Sequence, residues 1–587
     1  IAKPLHVGHL RSAIVGEAIK RMLKYMGHNV ISDVDIGDYG LQIGQVIYGL
    51  QQENISLQDI TLEDLERIYP QMSKLCKEDE NVKTICATIT KDLQDGNEEY
   101  QTYFKVIKEL SQSDIKRIYD YLDVSFDLWN GESDAYPYIT KVTEELEAKH
   151  LLKDSEGAKI VEVSKDSDSK EIPPLIYQKS NGAYLYGTTD LGTIYERIED
   201  FHPDNMIYIT DMRQSLHFKQ LFRVCEKLGY TDTITFEHLG FGTVNGSDGK
   251  PFKTRAGSAP KLDSLFKETK NAFLTSNPKN DNMTEEDLDI LVNAIIKFAD
   301  LQNNREKDYI FDLNKFSEVV GKTGPYILYT YLRIASILEK ETETCELEEK
   351  DIYNKEDRDL RIKLLDLENT LKYSYSTRLP SVLANYLYDL CVNMNAFYEK
   401  NHINNLEDKK KKESWLFVLN LGNKVIKEML ALLSIKIPKK MWGERIMKLK
   451  DIPKEELELM GYDDIAYIIL EESKKKMKIT DLFQKICDAL DLSQKEYEDH
   501  IADFFEILTT DKKFVMLEDG YWDLRTRHSE KLVIEDDDEE YEDVIEEEPA
   551  VEEEESEDVF YDEEADDDTT DDDLKDLVII DDDEENL

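Results

Sequence analysis

At 587 residues and 40% hydrophobic content, the chain is long enough for three or four domains with real cores. Its net charge of −53 is uneven: 32 Asp and Glu stand against one Lys between Glu535 and Leu587, which leaves −22 for the other 534 residues. Six scattered cysteines with no C-x-x-C pair argue against a zinc site or a disulfide framework, and no apolar run approaches the roughly 18 residues of a membrane span.

The chain opens on Lys3-Pro4-Leu5-His6-Val7-Gly8-His9-Leu10-Arg11-Ser12, followed by apolar residues at helical spacing: Ile14, Val15, Ala18, Ile19, Met22 and Leu23. An extended segment running into a helix puts both histidines at a helix N-terminus, where free backbone N–H groups favour phosphate. Gly8 lets a ligand approach the backbone. This loop normally follows a buried strand, for which there is no room before Ile1, so an N-terminal truncation is expected.

A β-like run at Asn29–Asp35, the turn Ile36–Gly40 and a helix over Gln42–Leu50 come next. From about Gln51 to Leu152 the pattern is helical and charged, as expected of an insertion. Strands are predicted at Lys159–Val163, Leu175–Gln178, Ala183–Tyr186, Met206–Thr210 and Thr233–Phe236, with helices around Gly192–Arg197 and Phe218–Leu228 between them. That alternation predicts an α/β domain on a parallel sheet.

Three constellations fall in this region. Tyr186-Gly187-Thr188-Thr189-Asp190 starts a helix, and Asp190 reads as a cap or as a ligand. Asp211–Phe218, including Gln214, follows an apolar strand, where α/β ligands bind. Gly249-Lys250-Pro251-Phe252-Lys253-Thr254-Arg255 is either a solvated basic loop or a polyphosphate clamp. Helices are expected over Met283–Asn303 and Lys322–Glu339, and the chain reads as helical from Tyr331 to Met441.

Beyond Met441, helices are predicted at Glu455–Glu472, from Thr480, and around Ile501–Leu508, then a hairpin of Phe514–Leu517 and Tyr521–Leu524. Three helices and a two-stranded wing predict a winged-helix domain. Such folds usually bind DNA, but the segment lacks a dense basic recognition helix. The run after Glu535 is too charged and too poor in apolar anchors to fold, so a disordered tail is expected.

The string Ile1–Ser12, with its His6-Val7-Gly8-His9, resembles arginyl-tRNA synthetases of class I, as does Ile36-Gly37-Asp38-Tyr39-Gly40-Leu41-Gln42. Gly249–Arg255 stands where that family carries its KMSKS-type loop, and Asn303–Tyr309 and Gly324–Tyr329 follow in family order. The resemblance implies a Rossmann-type catalytic domain at 1–330 with its insertion at about 51–152, and an all-α anticodon-binding domain at 331–441. It implies that His6, His9, Lys250 and Lys253 are catalytic and that Lys3, Gly8 and Arg255 help bind ATP. Tyr186, Asp190 and Gln214 match residues that line the arginine pocket. ATP with Mg2+, arginine and tRNA(Arg) are the implied cofactors and partners, with no dedicated protein metal site, a monomeric synthetase part and a cytoplasmic location. In the family, a Glu and an Asn on the strand before Ile1 also hold arginine, so little or no arginine activation is expected of the chain as given.

Residues from about 447 resemble the δ subunit of bacterial RNA polymerase, a winged-helix domain (here 451–530) followed by an acidic tail (531–587). That implies RNA polymerase core as a partner. The junction 442–450 contains Met447, a candidate start, and Trp442, which a TGA codon could encode; two neighbouring genes read as one is the expectation. Two alternatives stand: another class I synthetase or small nucleotidyltransferase sharing HxGH, and a non-enzymatic δ-type factor carrying an inert synthetase fragment.

Overall fold

A computed structural model describes residues 1–180, 182, 184–246, 249, 261–277, 283–340, 352–401, 403, 406, 408–439, 441, 461–490, 492–511, 513–517 and 520–528. The chain divides into two compact units, Ile1–Met441 and Trp442–Leu587.

In the first unit, α1 (Val7–Tyr25) buries the apolar set read from its spacing, Leu10, Ile14, Val15, Ala18, Ile19, Met22 and Leu23. Helices α2 (Leu41–Gln52), α3 (Leu62–Glu78), α4 (Glu80–Gln94) and α5 (Glu98–Tyr121) build the helical insertion. Its core joins Ile43, Val46, Ile47 and Leu50 to Leu65, Ile68, Ile89, Leu93 and Ile107. Then come α6 (Glu132–Ala148) and an antiparallel sheet of β1 (Leu152–Ser155), β2 (Ala158–Val161) and β3 (Leu175–Gln178).

Next in order are α7 (Tyr186–Phe201), β4 (Asn205–Tyr208), α8 (Ser215–Leu228), β5 (Thr235–His238), β6 (Val244–Asn245), α9 (Leu262–Ser276), α10 (Glu285–Leu301) and β7 (Tyr309–Ile310). The parallel pairing expected of the α/β region is present only in short pieces, and the strands expected in it at Lys159–Val163 and Leu175–Gln178 pair antiparallel with each other in a separate sheet as β2 and β3. β4 runs beside β5, β6 beside β7, and single parallel bridges join Asp33 to Leu128 and Ile36 to Gly131. Two expected strands need correction. Over Asn29–Asp35 the regular pairing shrinks to the Asp33 bridge, because Asp35 takes a left-handed conformation (φ 48°) that breaks an extended run. Of Ala183–Tyr186, Ala183 lies outside the described residues, Tyr184 makes one bridge to Gln178, and Tyr186 already begins α7.

Helices α11 (Gly324–Lys340), α12 (Lys355–Leu365), α13 (Leu367–Thr377), α14 (Pro380–Lys400) and α15 (Lys409–Leu432) complete the unit. Leu383, Leu387, Leu390, Met394 and Phe397 of α14 and Trp415, Leu419 and Ile426 of α15 are all buried. A Cβ at Gly422 would fall 2.7 Å from Met394 Sδ, so this glycine sets how closely the two helices pack.

The second unit is described over 461–528. It contains α16 (Tyr462–Ser473), β8 (Met477–Lys478), α17 (Ile479–Leu490), α18 (Gln494–Thr510), β9 (Phe514–Leu517) and β10 (Tyr521–Leu524). The helices enclose Ile465, Leu482, Phe483, Ile486, Phe504 and Leu508, and Trp522 closes the core from the sheet. β10 pairs antiparallel with both β8 and β9. The predicted hairpin strands are present; the helix expected from Glu455 is described only from Tyr462, and the acidic run after Glu535 lies outside the described residues. Among the described residues, no helix is long and apolar enough to cross a membrane.

Candidate active site

His6 is the N-cap of α1. Its Nδ1 accepts from the Gly8 N–H at 3.0 Å, and His9 Nδ1 accepts from the His6 N–H at 3.1 Å. This reciprocal cap uses imidazoles where Ser and Glu usually serve. With Nδ1 an acceptor in each ring, a neutral imidazole carries its proton on Nε2, so both rings offer an Nε2–H donor. Burial, then the neighbouring His6, lower the His9 pKa to about 3, and the ring is neutral at physiological pH. The ring centroids are 3.9 Å apart. A Cβ at Gly8 would lie 2.7 Å from His6 Cε1, so this cap requires glycine at position 8. Two Nε2–H donors of fixed tautomer at a helix N-terminus suit an anionic phosphoryl group.

The turn is held from two sides. Leu262 N–H donates to Leu5 O at 3.1 Å, and His6 and Lys261 form an antiparallel bridge. The described chain thus resumes at Lys261 directly beside His6. Lys250, Lys253 and Arg255 of the basic loop lie outside the described residues. On the other side, Arg11 pairs with Asp300 and donates to Gly242 O at 2.6 Å, while Tyr309 OH donates to Asp300 at 3.1 Å. Arg305 donates to Gly240 O at 2.6 Å. Arg11 and the Asn303–Tyr309 motif are thus scaffold for the turn. Lys3 is exposed, with its ammonium 4.5 Å from the Tyr69 ring centre on α3.

A group of carboxylates lies next to this turn. Tyr186 and Asp190 share one face of the first turns of α7, and Tyr186 is exposed. Asp190 Oδ2 lies 2.5 Å from His217 Nε2 on α8. Gln214, exposed three residues before His217, is on the same side of that helix start. The structure thereby brings Tyr186, Asp190 and Gln214 to one locality. Asp35 and Glu132 are within electrostatic range of Asp190, and sequence reasoning missed both. Burial and then Asp190 push Asp35 up to about 7 and Glu132 up to about 8. Asp35 is solvent-exposed, with protein close enough around its carboxyl to desolvate it. The Ile1 ammonium acts electrostatically on both Glu132 and His9, which places the carboxylate group and the histidine turn side by side. Carboxylates crowded enough to hold protons near neutrality are arranged for a cation.

Asp38, in the Ile36–Gln42 motif, is structural. It accepts from Ser133 N–H at 2.9 Å and Ser133 Oγ at 2.7 Å, and pairs with Lys108 at 2.6 Å, tying α5 to the start of α6.

Residues 1–313 match the family of class I tRNA synthetases (R), catalytic domain, and residues 327–441 match the DALR anticodon binding domain. The arginine–tRNA ligase of Agathobacter rectalis is 40% identical over 473 residues, covering 75% of this chain and 79% of that protein. The chain belongs to the arginyl-tRNA synthetase family. It is an aminoacyl-tRNA ligase. The arginine–tRNA ligase of Alkaliphilus oremlandii is also 40% identical, over 463 residues and with the same coverage. Among solved structures, the arginyl-tRNA synthetase of Plasmodium falciparum superposes with a TM-score of 0.63 at 28% identity, covering 75% of each chain. The Thermus thermophilus enzyme shares the fold, with a TM-score of 0.61 at 22% identity over 75% of this chain and 80% of that one. Residues 442–587 lie beyond both matched domains.

Proposed function

We propose that the first unit activates arginine with ATP and passes the arginyl group to the 3′-terminal adenosine of tRNA(Arg). The reading rests on one observation: a group of carboxylates, with Asp190 bonded to His217, beside a helix N-terminus capped by two histidines. The guanidinium of arginine is a planar fork of donors that suits carboxylate acceptors. Asp190 binds it, with Asp35 and Glu132 adding negative potential and Tyr186 and Gln214 lining the pocket. Attack of the arginine carboxylate on the α-phosphorus expels pyrophosphate, and charge grows on the phosphoryl oxygens. His6 and His9 stabilise that charge through their Nε2–H groups, with Lys250, Lys253, Arg255 and Lys3 as the cations for the departing phosphates. Gly8 and the α1 N-terminus fit ATP because the two imidazoles that cap the helix present Nε2–H donors and Gly8 adds no side chain of its own; Mg2+ enters with ATP as its counter-ion. Catalysis is then positioning and electrostatics without a covalent nucleophile.

Binding of a non-hydrolysable arginyl-adenylate analogue tests this. At a hundredfold excess over Kd it adds about 2.7 kcal/mol to stability, so the melting temperature rises with the arginyl analogue and stays fixed with the lysyl and glutaminyl ones. In ATP–pyrophosphate exchange with tRNA supplied, any turnover, low as the sequence reading expects, is confined to arginine. Exchange driven by a different amino acid overturns the assignment.

For the second unit we propose a δ-like role, docking on RNA polymerase core. The order of three helices and a hairpin before an acidic run supports it. Co-purification of polymerase subunits with the full chain, lost on deleting 447–587, is the expected result; retention after the deletion refutes it.

A further inference from the structure

We propose that the lysine edge at residues 474–478 is the docking site for the chain's own acidic segment, Glu535–Leu587. Lys474 caps α16 in the left-handed region (φ 52°), and Lys475, Lys476 and Lys478 follow, all four exposed. The Lys476 and Lys478 ammonium groups lie 4.9 and 5.6 Å from the Tyr521 ring centre, and Tyr521 pairs in register with Lys478 across β8 and β10. The cations are thus gathered over one aromatic at a sheet edge. None of the four has a carboxylate partner among the described residues. Two other cations of the unit are paired, Lys513 with Asp463 and Asp511 and Arg527 with Glu471 and Asp523, while Lys485 and Lys495 stand singly on their helices. Four like charges within five residues make a local positive potential that a polyanion complements, most strongly at low salt.

The path of the chain supplies that polyanion. Arg527, almost the last described residue, donates to Leu470 O at 3.0 Å and to Glu471 at 2.9 Å, one turn before Lys474. The described chain therefore ends within one side chain's reach of the turn that carries the lysine edge. Glu535, the first residue of the acidic run, is seven residues past His528, a reach of about 24 Å if extended. Such short tethers give effective concentrations on the order of millimolar. With 32 carboxylates on the segment, most registers place several of them on the lysines. An external nucleic acid has to displace this tethered competitor, which favours the chain's own segment as the occupant.

Zero-length carbodiimide cross-linking of the full chain, read by mass spectrometry, tests the proposal. Lys474, Lys475, Lys476 and Lys478 should join carboxylates of 535–587 at least about threefold more often than Lys485 and Lys495, exposed lysines on α17 and α18 of the same unit. The excess should fall at 0.5 M salt, where screening is short-ranged. Equal yields, or links found only between isotopically distinct chains, overturn it. A full chain with all four lysines changed to Gln should lose its acidic segment to glutamyl endopeptidase about threefold faster at low salt, and at an equal rate at high salt. Equal rates at both overturn it. So does loss of the cross-links on adding an equimolar single-stranded oligonucleotide, which assigns the edge to nucleic acid.

Discussion

His217 Nε2 stands 2.5 Å from Asp190 Oδ2, and this bond fixes the carboxylate in place. Replacing His217 by Ala frees Asp190 to rotate and removes a charge-assisted bond of about 1.5–3 kcal/mol. The Kd for the arginyl-adenylate analogue should rise at least about tenfold while the Kd for ATP alone is unchanged. Gln at this position restores part of the loss. Titration of the three proteins checks the order.

The raised carboxylates predict proton release on binding. Asp35 and Glu132 hold protons near pH 7 and 8, and an arriving guanidinium drives those protons off. Arginine affinity should therefore strengthen from pH 6 to pH 9, and calorimetry in buffers of different ionisation enthalpy should show net release. The same groups lower stability as pH rises. Above their ordinary values and below 7 to 8 the folded state binds more protons than the unfolded one, so stability falls with rising pH across that window. Asp35→Asn and Glu132→Gln should raise the urea midpoint at pH 8 and weaken arginine binding.

His9 has the opposite sign. Its folded pKa of about 3 lies below the ordinary 6.5, so between these values the unfolded chain takes up a proton that the folded one refuses. Stability is lost as pH falls below 6.5. From pH 7 to pH 5, wild type should lose up to about 2 kcal/mol relative to His9→Asn, at 1.36 kcal/mol per unit. Urea melts at the two pH values give the difference directly.

Arg11 and Asp300 are each 1% exposed and pair at 3.1 Å. Arg11→Leu leaves a buried carboxylate without its cation and should cost about 3–5 kcal/mol. The double variant Arg11→Leu, Asp300→Leu should recover much of this in chemical unfolding. A double variant no more stable than the single one contradicts the pairing.

Gly8→Ala sets a methyl 2.7 Å from the His6 ring and forces the cap open. The expected result is a loss of about 1 kcal/mol, typical of a lost N-cap, together with weaker ATP binding by equilibrium dialysis.

Much of this was readable in the chain because local chemistry decides it. The histidine turn follows from an extended Pro-containing segment entering an amphipathic helix, and α1 buries the apolar set its spacing marks. The hairpin at Phe514–Leu524 follows from two short apolar runs around Gly520. Asp190 is different: the sequence left capping and ligand binding open for it, and the structure makes Leu185 the N-cap and places Asp190 a turn into α7, which removes the capping reading. His217, Asp35 and Glu132 escaped notice because their role arises from proximity across α6, α7, α8 and the segment before α2, which no local pattern encodes. The strand at Asn29–Asp35 was misread because alternation gives no sign of the left-handed turn at Asp35.

One further junction concerns where the first unit can be cut. Lys297, buried on α10, donates to Ser434 O and Oγ, and burial lowers its pKa to about 7. Ser434 Oγ reaches Asp123 O at 2.8 Å, Arg21 of α1 pairs with Asp123 at 2.9 Å and donates to Ala431 O, and Lys436 joins Asp123 at 2.8 Å. These residues straddle the gap between the two matched family regions, which end and begin at 313 and 327. A fragment ending there would uncover an interior lysine and leave its donors facing an apolar scar. The catalytic half and the anticodon-binding half are therefore expected to be insoluble apart, and to express only as one piece.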